Sequence, residues 1–411
     1  MTTAGWRDRD LAGHGRGYNR GMQVLALILA GGAGNRLEVF TEVRAKPAMP
    51  FAGVYRLIDF PLSNCMHSGI SDVWIAQQFV PQSLNDHVSN GRPWDLDRTH
   101  GGLRLLPPHQ GAEDEGGWAQ GNADVIHRNR RFILEAAPEV LLVMSADHVY
   151  KLDFSKVVAA HLERGVDATM VTTCVSMDQA ARFGVVKTSR DGLIESYEYK
   201  PEHPSSDLAT TEVFAFSTGP LMSLLQELWD AEGELADLGD ELLPRLVSEG
   251  RAAEYRLGDY WRDVGTPGAY HDAHMDLLDP EVGLDLDDPA WPIFTLAPQR
   301  PPAHIHPEAR NLNSLVSPGC EIRGTVEHSV LGPGVMVERG AVVRDAVVLH
   351  DCHIGRDAAV LHAIVDERVE VEMGATVGAG EGELALVGRG VRVRNGLDVP
   401  AGARVAPGTV V

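Results

Sequence analysis

The chain has 411 residues, of which 44% are hydrophobic and 23% are charged, and its formal net charge is −22. This composition is typical of folded globular proteins, and the length predicts two or three domains. So strong a negative charge argues against a protein that coats nucleic acid, but it allows a small anionic substrate in a local basic pocket.

The N-terminal segment, residues 1–22, carries arginines and glycines without an apolar stretch. We expect a flexible leader there rather than a secretory signal. The four cysteines form no CxxC pair, which predicts reduced thiols in a cytoplasmic protein. No run of about 18 apolar residues occurs, so we expect no membrane span and no membrane partner.

From residue 24 onwards, short apolar strands alternate with amphipathic helices. This alternation predicts an α/β domain at residues 23–279, with a Rossmann-like, mixed and mostly parallel sheet. Such sheets bind ligands at the carboxyl ends of their strands. The strands are expected at Val24–Leu29, Val73–Ala76, Val140–Met144, Ala168–Val175 and Val213–Phe216, and the helices at Gln82–Ser89, Ala123–Ala136, Phe154–Arg164 and Gly219–Ala231.

The last third of the chain changes first in composition and then in periodicity. Residues 280–313 are rich in Pro and Asp, which is typical of a linker. After the linker, aliphatic residues recur every six positions, which predicts a left-handed parallel β-helix at residues 314–411. The aliphatic register includes Leu331, Val337, Val343 and Leu349, then Val348, Ile354 and Val360, then Val365, Val371 and Val377, and finally Val387, Val393, Val399, Val405 and Val411.

The densest concentration of candidate functional residues lies between residues 25 and 53. A predicted strand leads directly into the glycine-rich stretch 31–34, and Arg36 follows it. Glycines let backbone N–H groups approach a polyphosphate, and an arginine can bind phosphate with two hydrogen bonds. Arg44, Lys46 and Arg56 add the positive charge that an anionic substrate needs. Neither a Walker loop nor a dinucleotide-binding motif has this spacing.

Several motifs together carry a family resemblance. GGAGNRL (31–37) and RAKPAMPFAG (44–53) resemble the nucleotide-binding signature of sugar-1-phosphate nucleotidylyltransferases. YRLIDFPLSNCMHSGI (55–70), SADHVYKLD (145–153) and DYWRDVGTPGAY (259–270) are similar to segments of the ADP-glucose pyrophosphorylase branch of that family. The resemblance implies an enzyme that converts ATP and α-D-glucose 1-phosphate into ADP-glucose and diphosphate, for the synthesis of glycogen or another α-glucan. It also implies a homotetramer.

The same resemblance implies roles for individual residues. The expected catalytic residues are Arg36, Lys46 and Asp147, and the expected ligands of Mg²⁺ are Asp147 and Asp263. The expected nucleotide-binding residues are Gly31, Gly32, Gly34, Gln78, Gly121 and Asp124. The expected sugar-phosphate-binding residues are Ala119, Gly184, Tyr199, Lys200 and Thr210.

The sequence departs from the family pattern on the sugar side. Ala119 replaces a tyrosine, Tyr199 a glutamate, and Glu212 a glycine. Because a lost acceptor for sugar hydroxyls weakens selectivity, three alternatives stay open. Glu212 takes over the acceptor role, or the enzyme uses another sugar 1-phosphate or nucleotide, or the chain is a weakly active regulatory subunit. Val43 stands where activated members often carry a lysine, which predicts weak or different activation by sugar phosphates.

Overall fold

The computed structural model describes residues 23–32, 34–107 and 118–411, so the predicted leader lies outside the described residues. Within them, an α/β domain precedes a parallel β-helix, and the predicted fold class is confirmed. No helix in this part of the chain combines the length and the apolar character that crossing a membrane requires.

The α/β domain is built on a mixed sheet that has nine strands in the described residues. The strands of this domain are β1 (Val24–Ala30), β2 (Pro50–Phe51), β3 (Tyr55–Arg56), β4 (Asp72–Gln77), β5 (Gly102–Leu106), β6 (Val140–Ser145), β7 (His148–Tyr150), β8 (Ala168–Cys174), β9 (Gly184–Thr188), β10 (Ile194–Tyr199), β11 (Leu208–Ser217), β12 (Ala252–Arg256) and β13 (Trp261–Asp263). The main sheet has the order β10-β9-β11-β6-β1-β4-β5, and β8 joins β11 to β12. β1 runs parallel to β4 and β6, whereas β11 runs antiparallel to β6 and β8.

Helices cover both faces of this sheet. They are α1 (Asp59–His67), α2 (Pro81–Val88), α3 (Asn122–Arg128), α4 (Arg130–Ala136), α5 (Phe154–Arg164), α6 (Met177–Ala180), α7 (Thr218–Glu232), α8 (Leu242–Ser248) and α9 (Pro267–Asp276). Short 3-10 turns lie at Asn35–Phe40, Lys46–Ala48 and Arg92–Trp94. β1 is apolar throughout because it is covered on both faces: Leu25 and Leu27 enter one core, and Ala26 and Ile28 the other.

One helix prediction is wrong. The segment predicted as a single helix at Ala123–Ala136 breaks at Asn129, which separates α3 from α4. The side-chain amide of Asn129 donates a hydrogen bond to the Val125 carbonyl at 2.8 Å. An asparagine that bonds to nearby backbone in this way competes with regular helical hydrogen bonding, which accounts for the break.

The β-helix has three sides, each a parallel sheet of six short strands in the described residues. The first sheet contains β14 (His304–Ile305), β17 (Glu321–Ile322), β20 (Met336–Val337), β23 (His353–Ile354), β26 (Glu370–Val371) and β29 (Arg392–Val393). The second contains β15 (Arg310–Leu312), β18 (Thr325–Glu327), β21 (Val342–Arg344), β24 (Ala359–Leu361), β27 (Thr376–Gly378) and β30 (Asp398–Val399). The third contains β16 (Leu315–Val316), β19 (Val330–Leu331), β22 (Val347–Val348), β25 (Ala363–Val365), β28 (Ala385–Val387) and β31 (Arg404–Val405). β14 and β15 lie inside the segment that we predicted as a linker.

The six-residue register is interrupted at one corner of the β-helix. Val343 and Val348 both face the aliphatic interior, although only five positions separate them. Leu349, six positions after Val343, turns outward and packs in a hydrophobic cluster with Phe51 and Tyr270 of the α/β domain. The prediction that Leu349 continues the interior register is therefore wrong, and this side chain instead helps to join the two domains.

Buried ion pairs also join the two domains. Arg44 Nη2 lies 2.8 Å from Asp366 Oδ1, and Arg56 Nη1 lies 3.1 Å from Glu367 Oε1. The Arg44 side chain is only 3% exposed and that of Asp366 is 0% exposed, so each charge depends on its partner. We predicted that Arg44 and Arg56 add positive charge for a substrate. The structure corrects this interpretation, because both arginines bind acids of the β-helix.

Candidate active site

A cavity of about 440 Å³ opens at the carboxyl ends of β1, β4 and β6. This is the location where parallel sheets bind ligands, because loops leave neighbouring strands there. The predicted residues that line the cavity are Gly31, Gly32, Arg36, Lys46, Gln78, Ala119, Gly121, Asp147, Tyr199 and Lys200. The predicted residues that stand behind this lining are Gly34, Asp124, Gly184, Thr210 and Asp263.

The glycine loop that follows β1 owes its shape to Gly34. Its backbone has φ 70°, a left-handed conformation that favours glycine, and its carbonyl accepts a hydrogen bond from Thr41 Oγ1 at 2.9 Å. A Cβ atom on Gly34 would lie 3.0 Å from the Thr41 methyl group. Gly34 therefore shapes the loop, while Gly31, Gly32 and the exposed Arg36 face the cavity.

At the floor of the cavity, the ammonium group of Lys46 lies between the carboxylate of Asp147, which lines the cavity, and that of Asp263, which lies directly behind the lining. Lys46 Nζ donates a hydrogen bond to Asp147 Oδ2 and lies 3.8 Å from Asp263 Oδ1. Asp147 follows β6, and Asp263 ends β13, which pairs with β7 beside it. The structure thus brings together two acids that are remote in the sequence.

The charge state of Asp147 suits the binding of a cation. Burial would raise the pKa of its carboxyl, but the Lys46 ammonium, through its charge and its hydrogen bond, holds that pKa well below its usual range. Asp147 is therefore ionised at neutral pH. Burial raises the pKa of the neighbouring Glu212, and the Asp147 and Asp263 carboxylates reinforce this shift.

The residues at this floor fit a hard divalent cation. Mg²⁺ prefers carboxylate oxygens, and both acids offer them. The Asp263 side chain is 5% exposed, and its Oδ1 atom accepts no hydrogen bond from the described residues. A Cβ atom on Gly265 would lie 2.8 Å from this Oδ1 and 3.1 Å from both Arg36 Nη2 and Lys46 Nζ. Gly265 therefore leaves open the space where these groups meet.

On the opposite side of the cavity, a hydrogen-bonded chain ends at an acid that the sequence analysis missed. Lys200 Nζ donates to Tyr199 Oη at 2.6 Å, and Tyr199 Oη donates to Asp237 Oδ2 at 2.8 Å. Burial and the Asp237 carboxylate raise the pKa of Tyr199 well above its usual range, so the phenol stays neutral. Asp237 lies in a loop with no recognisable spacing, and no signal in the sequence marked it for us.

The segment 118–124 closes the third side of the cavity. Gln78 Nε2 donates to the Ala119 carbonyl at 3.0 Å. A Cβ atom on Gly121 would lie 2.4 Å from the backbone of Ala236, so only glycine permits this close approach. Asp124 does not line the cavity, because its carboxylate accepts the Gln120 N–H at 3.0 Å and pairs with Arg128 at 2.9 Å. Asp124 holds the segment in place from behind.

Gly184 and Thr210, both predicted to bind the sugar phosphate, lie beneath the cavity lining. A Cβ atom on Gly184 would lie 2.5 Å from Tyr197 Oη and 2.9 Å from Thr210 Oγ1. Thr210 is buried, and neither Thr210 nor Gly184 is among the residues that line the cavity. Gly184 lies in β9 and Thr210 in β11, so these residues support the strands that carry the cavity lining.

Comparisons with known proteins agree with this architecture. The model of the nucleotidyl transferase family matches residues 25–280, and that of the GlmU-like C-terminal hexapeptide family matches residues 301–399. The glucose-1-phosphate adenylyltransferase of Acetivibrio thermocellus is 39% identical over 360 residues, which cover 87% of this chain and 84% of the relative. The chain belongs to the glucose-1-phosphate adenylyltransferase family of nucleotidyl transferases.

Other members of the glucose-1-phosphate adenylyltransferase family align over similar lengths. The one from Clostridium beijerinckii is 39% identical over 380 residues, covering 86% of this chain and 97% of the relative. The one from Bacillus cereus is 40% identical over 359 residues, covering 86% of this chain and 94% of the relative. The resemblance predicted from the motifs is confirmed, and the chain is a nucleotidyltransferase enzyme.

Proposed function

We propose that the chain transfers the adenylyl group of ATP to α-D-glucose 1-phosphate, forming ADP-glucose and diphosphate. The single observation that carries the proposal is the meeting of Lys46, Asp147 and Asp263 beside a glycine loop, in a cavity large enough for a nucleotide. The names of its relatives support the choice of ATP and glucose 1-phosphate over other pairs.

In this reaction a phosphate oxygen of the sugar phosphate attacks the α-phosphorus of ATP. The new P–O bond forms as the bond to the departing diphosphate breaks. Both reactants are anions, so the protein accelerates the step mainly by positioning them and neutralising their charge. The backbone N–H groups of Gly31 and Gly32, with the Arg36 guanidinium, would hold the diphosphate, and Lys46 would contact the phosphate that is transferred.

Asp147 and Asp263 would hold Mg²⁺, which when bound neutralises charge that develops on the α-phosphate. Without a nucleotide, the Lys46 ammonium occupies the space between these two carboxylates. Lys46 therefore has an orientation fixed by two acids, and it would contact the phosphate when substrates enter.

On the sugar side, Lys200 would bind the phosphate of glucose 1-phosphate. Tyr199 and Asp237 would offer a hydroxyl and a carboxylate to the sugar hydroxyls, since both line the cavity. Gln78 and Gly121 would face the base of ATP on the remaining side. A second candidate, another sugar 1-phosphate, is favoured by Glu212, whose carboxylate also lines the cavity.

The proposal is tested by measuring diphosphate release from a panel of nucleoside triphosphates and sugar 1-phosphates, with Mg²⁺ and with a chelator. We expect turnover with ATP and glucose 1-phosphate, dependent on Mg²⁺. Turnover only with another sugar 1-phosphate would favour the second candidate. No turnover with any pair would favour a regulatory subunit.

The setting of the enzyme is also a proposal. Its cysteines are all free thiols, which supports a reducing compartment such as the cytoplasm. The homotetramer that the family resemblance implies stays a prediction, and light scattering coupled to size-exclusion chromatography would test it. A monomer at micromolar concentration would contradict it.

A further inference from the structure

Glu212 combines an unfavourable backbone conformation with a position in the cavity. It lies in β11, where the pairing with β8 changes register between Thr210 and Phe214. Its φ is 54°, in the left-handed region that glycine adopts freely and residues with a Cβ atom rarely adopt. Backbone strain of this kind clusters at active sites and ligand-binding positions, which makes Glu212 a candidate for a role in the cavity.

The carboxylate of Glu212 lies among the groups at the cavity floor. One oxygen of Glu212, one of Asp147 and a ring nitrogen of His148 all lie within 4.8 Å of one another. Glu212 is also one of the residues that line the cavity.

His148 presents a nitrogen lone pair to the same place. Its Nδ1 atom hydrogen bonds to the Thr211 carbonyl at 3.1 Å, and a carbonyl can only accept, so Nδ1 carries the proton. In the neutral ring, Nε2 is then free, and it lies 3.7 Å from Asp147 Oδ1 and 3.8 Å from Asp263 Oδ1. A backbone carbonyl that fixes the tautomer in this way is typical of histidines that bind metals.

Asp263 provides independent evidence that a ligand belongs here. It is 6% exposed, and Oδ2 accepts a hydrogen bond from Arg182 at 2.8 Å. Its Oδ1 atom accepts no hydrogen bond from the described residues, although it lies beside both Lys46 Nζ and His148 Nε2. A buried carboxylate oxygen without a hydrogen-bond donor calls for a partner, and a cation between these groups would supply one.

We propose that Glu212 is a further ligand of the divalent cation at this site and that His148 Nε2 adds a nitrogen donor. This inference rests on the proposed function, because it extends the pair Asp147 and Asp263 that would hold Mg²⁺. Oxygen donors alone suit Mg²⁺, whereas a mixed set with imidazole favours Mn²⁺ and later transition metals. The site should therefore bind Mn²⁺ more tightly than Mg²⁺, even without nucleotide.

The inference is tested by titrating the full chain with Mn²⁺ in the absence of substrates. The electron paramagnetic resonance signal of free Mn²⁺ measures how much of the ion stays unbound. Glu212→Gln keeps the shape of the side chain, and we expect it to weaken Mn²⁺ binding about tenfold or more. Glu212→Gly relieves the backbone strain and so guards against misfolding, and it should weaken binding equally. The control, Glu195→Gln, alters an exposed glutamate on β10 and should leave Mn²⁺ affinity unchanged.

Mn²⁺ affinities of Glu212→Gln and Glu212→Gly within about twofold of the parent chain would overturn the inference. So would an equal preference for Mg²⁺ and Mn²⁺ in a competition titration. Diphosphate release, measured separately, keeps the two proposals apart. If the parent chain turns over ATP and the Glu212 variants keep their Mn²⁺ affinity, only the role of Glu212 as a metal ligand is contradicted. If the chain binds Mn²⁺ through Glu212 but does not turn over ATP and glucose 1-phosphate, only the proposed reaction is contradicted.

Discussion

In the β-helix, Ile354, Val360 and Val365 occupy equivalent positions on the three successive sides of one aliphatic interior. In the α/β domain, Lys46, Asp147 and Asp263 meet although more than a hundred positions separate each from the next. The β-helix repeats one local rule, so a substitution there removes one of many similar contacts. The cavity joins single residues from different elements, so no neighbour can replace a lost one.

This difference predicts that substitutions in the cavity change activity more than stability, and that those in the β-helix do the reverse. The largest expected effect is that of Lys46→Ala. Removing the ammonium that contacts Asp147 should lower kcat about 10³-fold, because the phosphate that is transferred would no longer have a cation positioned beside it. Diphosphate release measures it, and the exposed Lys156→Ala is the control. A loss of less than about tenfold would contradict the assignment.

The second prediction concerns the interior of the β-helix. Ile354→Ala removes a fully buried side chain and should lower the free energy of unfolding by about 2–4 kcal/mol. Urea unfolding measures this loss, and KM for ATP should stay unchanged. Leu397→Ala, at a 47% exposed position, should shift stability by less than about 0.5 kcal/mol. If Ile354→Ala instead lowered activity while the free energy of unfolding stayed unchanged, the contrast between a stability effect in the β-helix and an activity effect in the cavity would be wrong.

The third prediction concerns the boundary between the regions. Burial would raise the pKa of Glu367, but Arg44 and Arg56 lower it to about 2. Because this folded-state value lies below the unfolded one of about 4.5, the carboxylate stabilises the fold above that pH. Glu367→Gln should therefore lower the free energy of unfolding by about 1–3 kcal/mol at pH 7.

The stability difference between Glu367→Gln and the parent chain should narrow as the pH falls below about 4.5 towards 2. Urea unfolding at several pH values measures it. Glu383→Gln, whose side chain is 80% exposed, should show no such trend. A difference that stays constant from pH 7 to acid would show that the Glu367 charge contributes nothing at the boundary.

The smallest expected effect is confined to one substrate. Lys200→Ala should raise KM for the sugar phosphate about tenfold, since a charged hydrogen bond to phosphate is lost, while KM for ATP changes little. Initial rates with each substrate varied in turn measure both constants. Lys187→Ala, exposed on β9, is the matched control. Equal rises in both KM values would contradict the proposal that Lys200 binds the sugar phosphate.

The sequence predicted the β-helix and the sheet because each follows a local period. It failed where contacts between distant segments decide the outcome. Leu349 keeps the six-residue spacing but turns outward, because one corner of the β-helix is shorter by a residue. Arg44 carries the charge that a substrate needs, yet Asp366, more than three hundred positions away, binds it.

The cavity was predictable in part. The motifs predicted that Arg36, Lys46 and Asp147 share one site, and the structure places all three at the cavity. Asp237 was missed because its role depends on hydrogen bonds to Tyr199 and to the Asn122 backbone, which no spacing records. Gly184 and Gly121 have close backbone and side-chain neighbours that only the folded chain shows.

The central claim is that Asp147 and Asp263, with Lys46 between them, form one cation-binding floor for adenylyl transfer. Crystals of the chain grown with Mn²⁺ and a non-hydrolysable ATP analogue, measured at the Mn absorption edge, test it most directly. The account predicts an anomalous peak between the two carboxylates, in contact with the analogue. A bound analogue with no Mn²⁺ between Asp147 and Asp263 would contradict it.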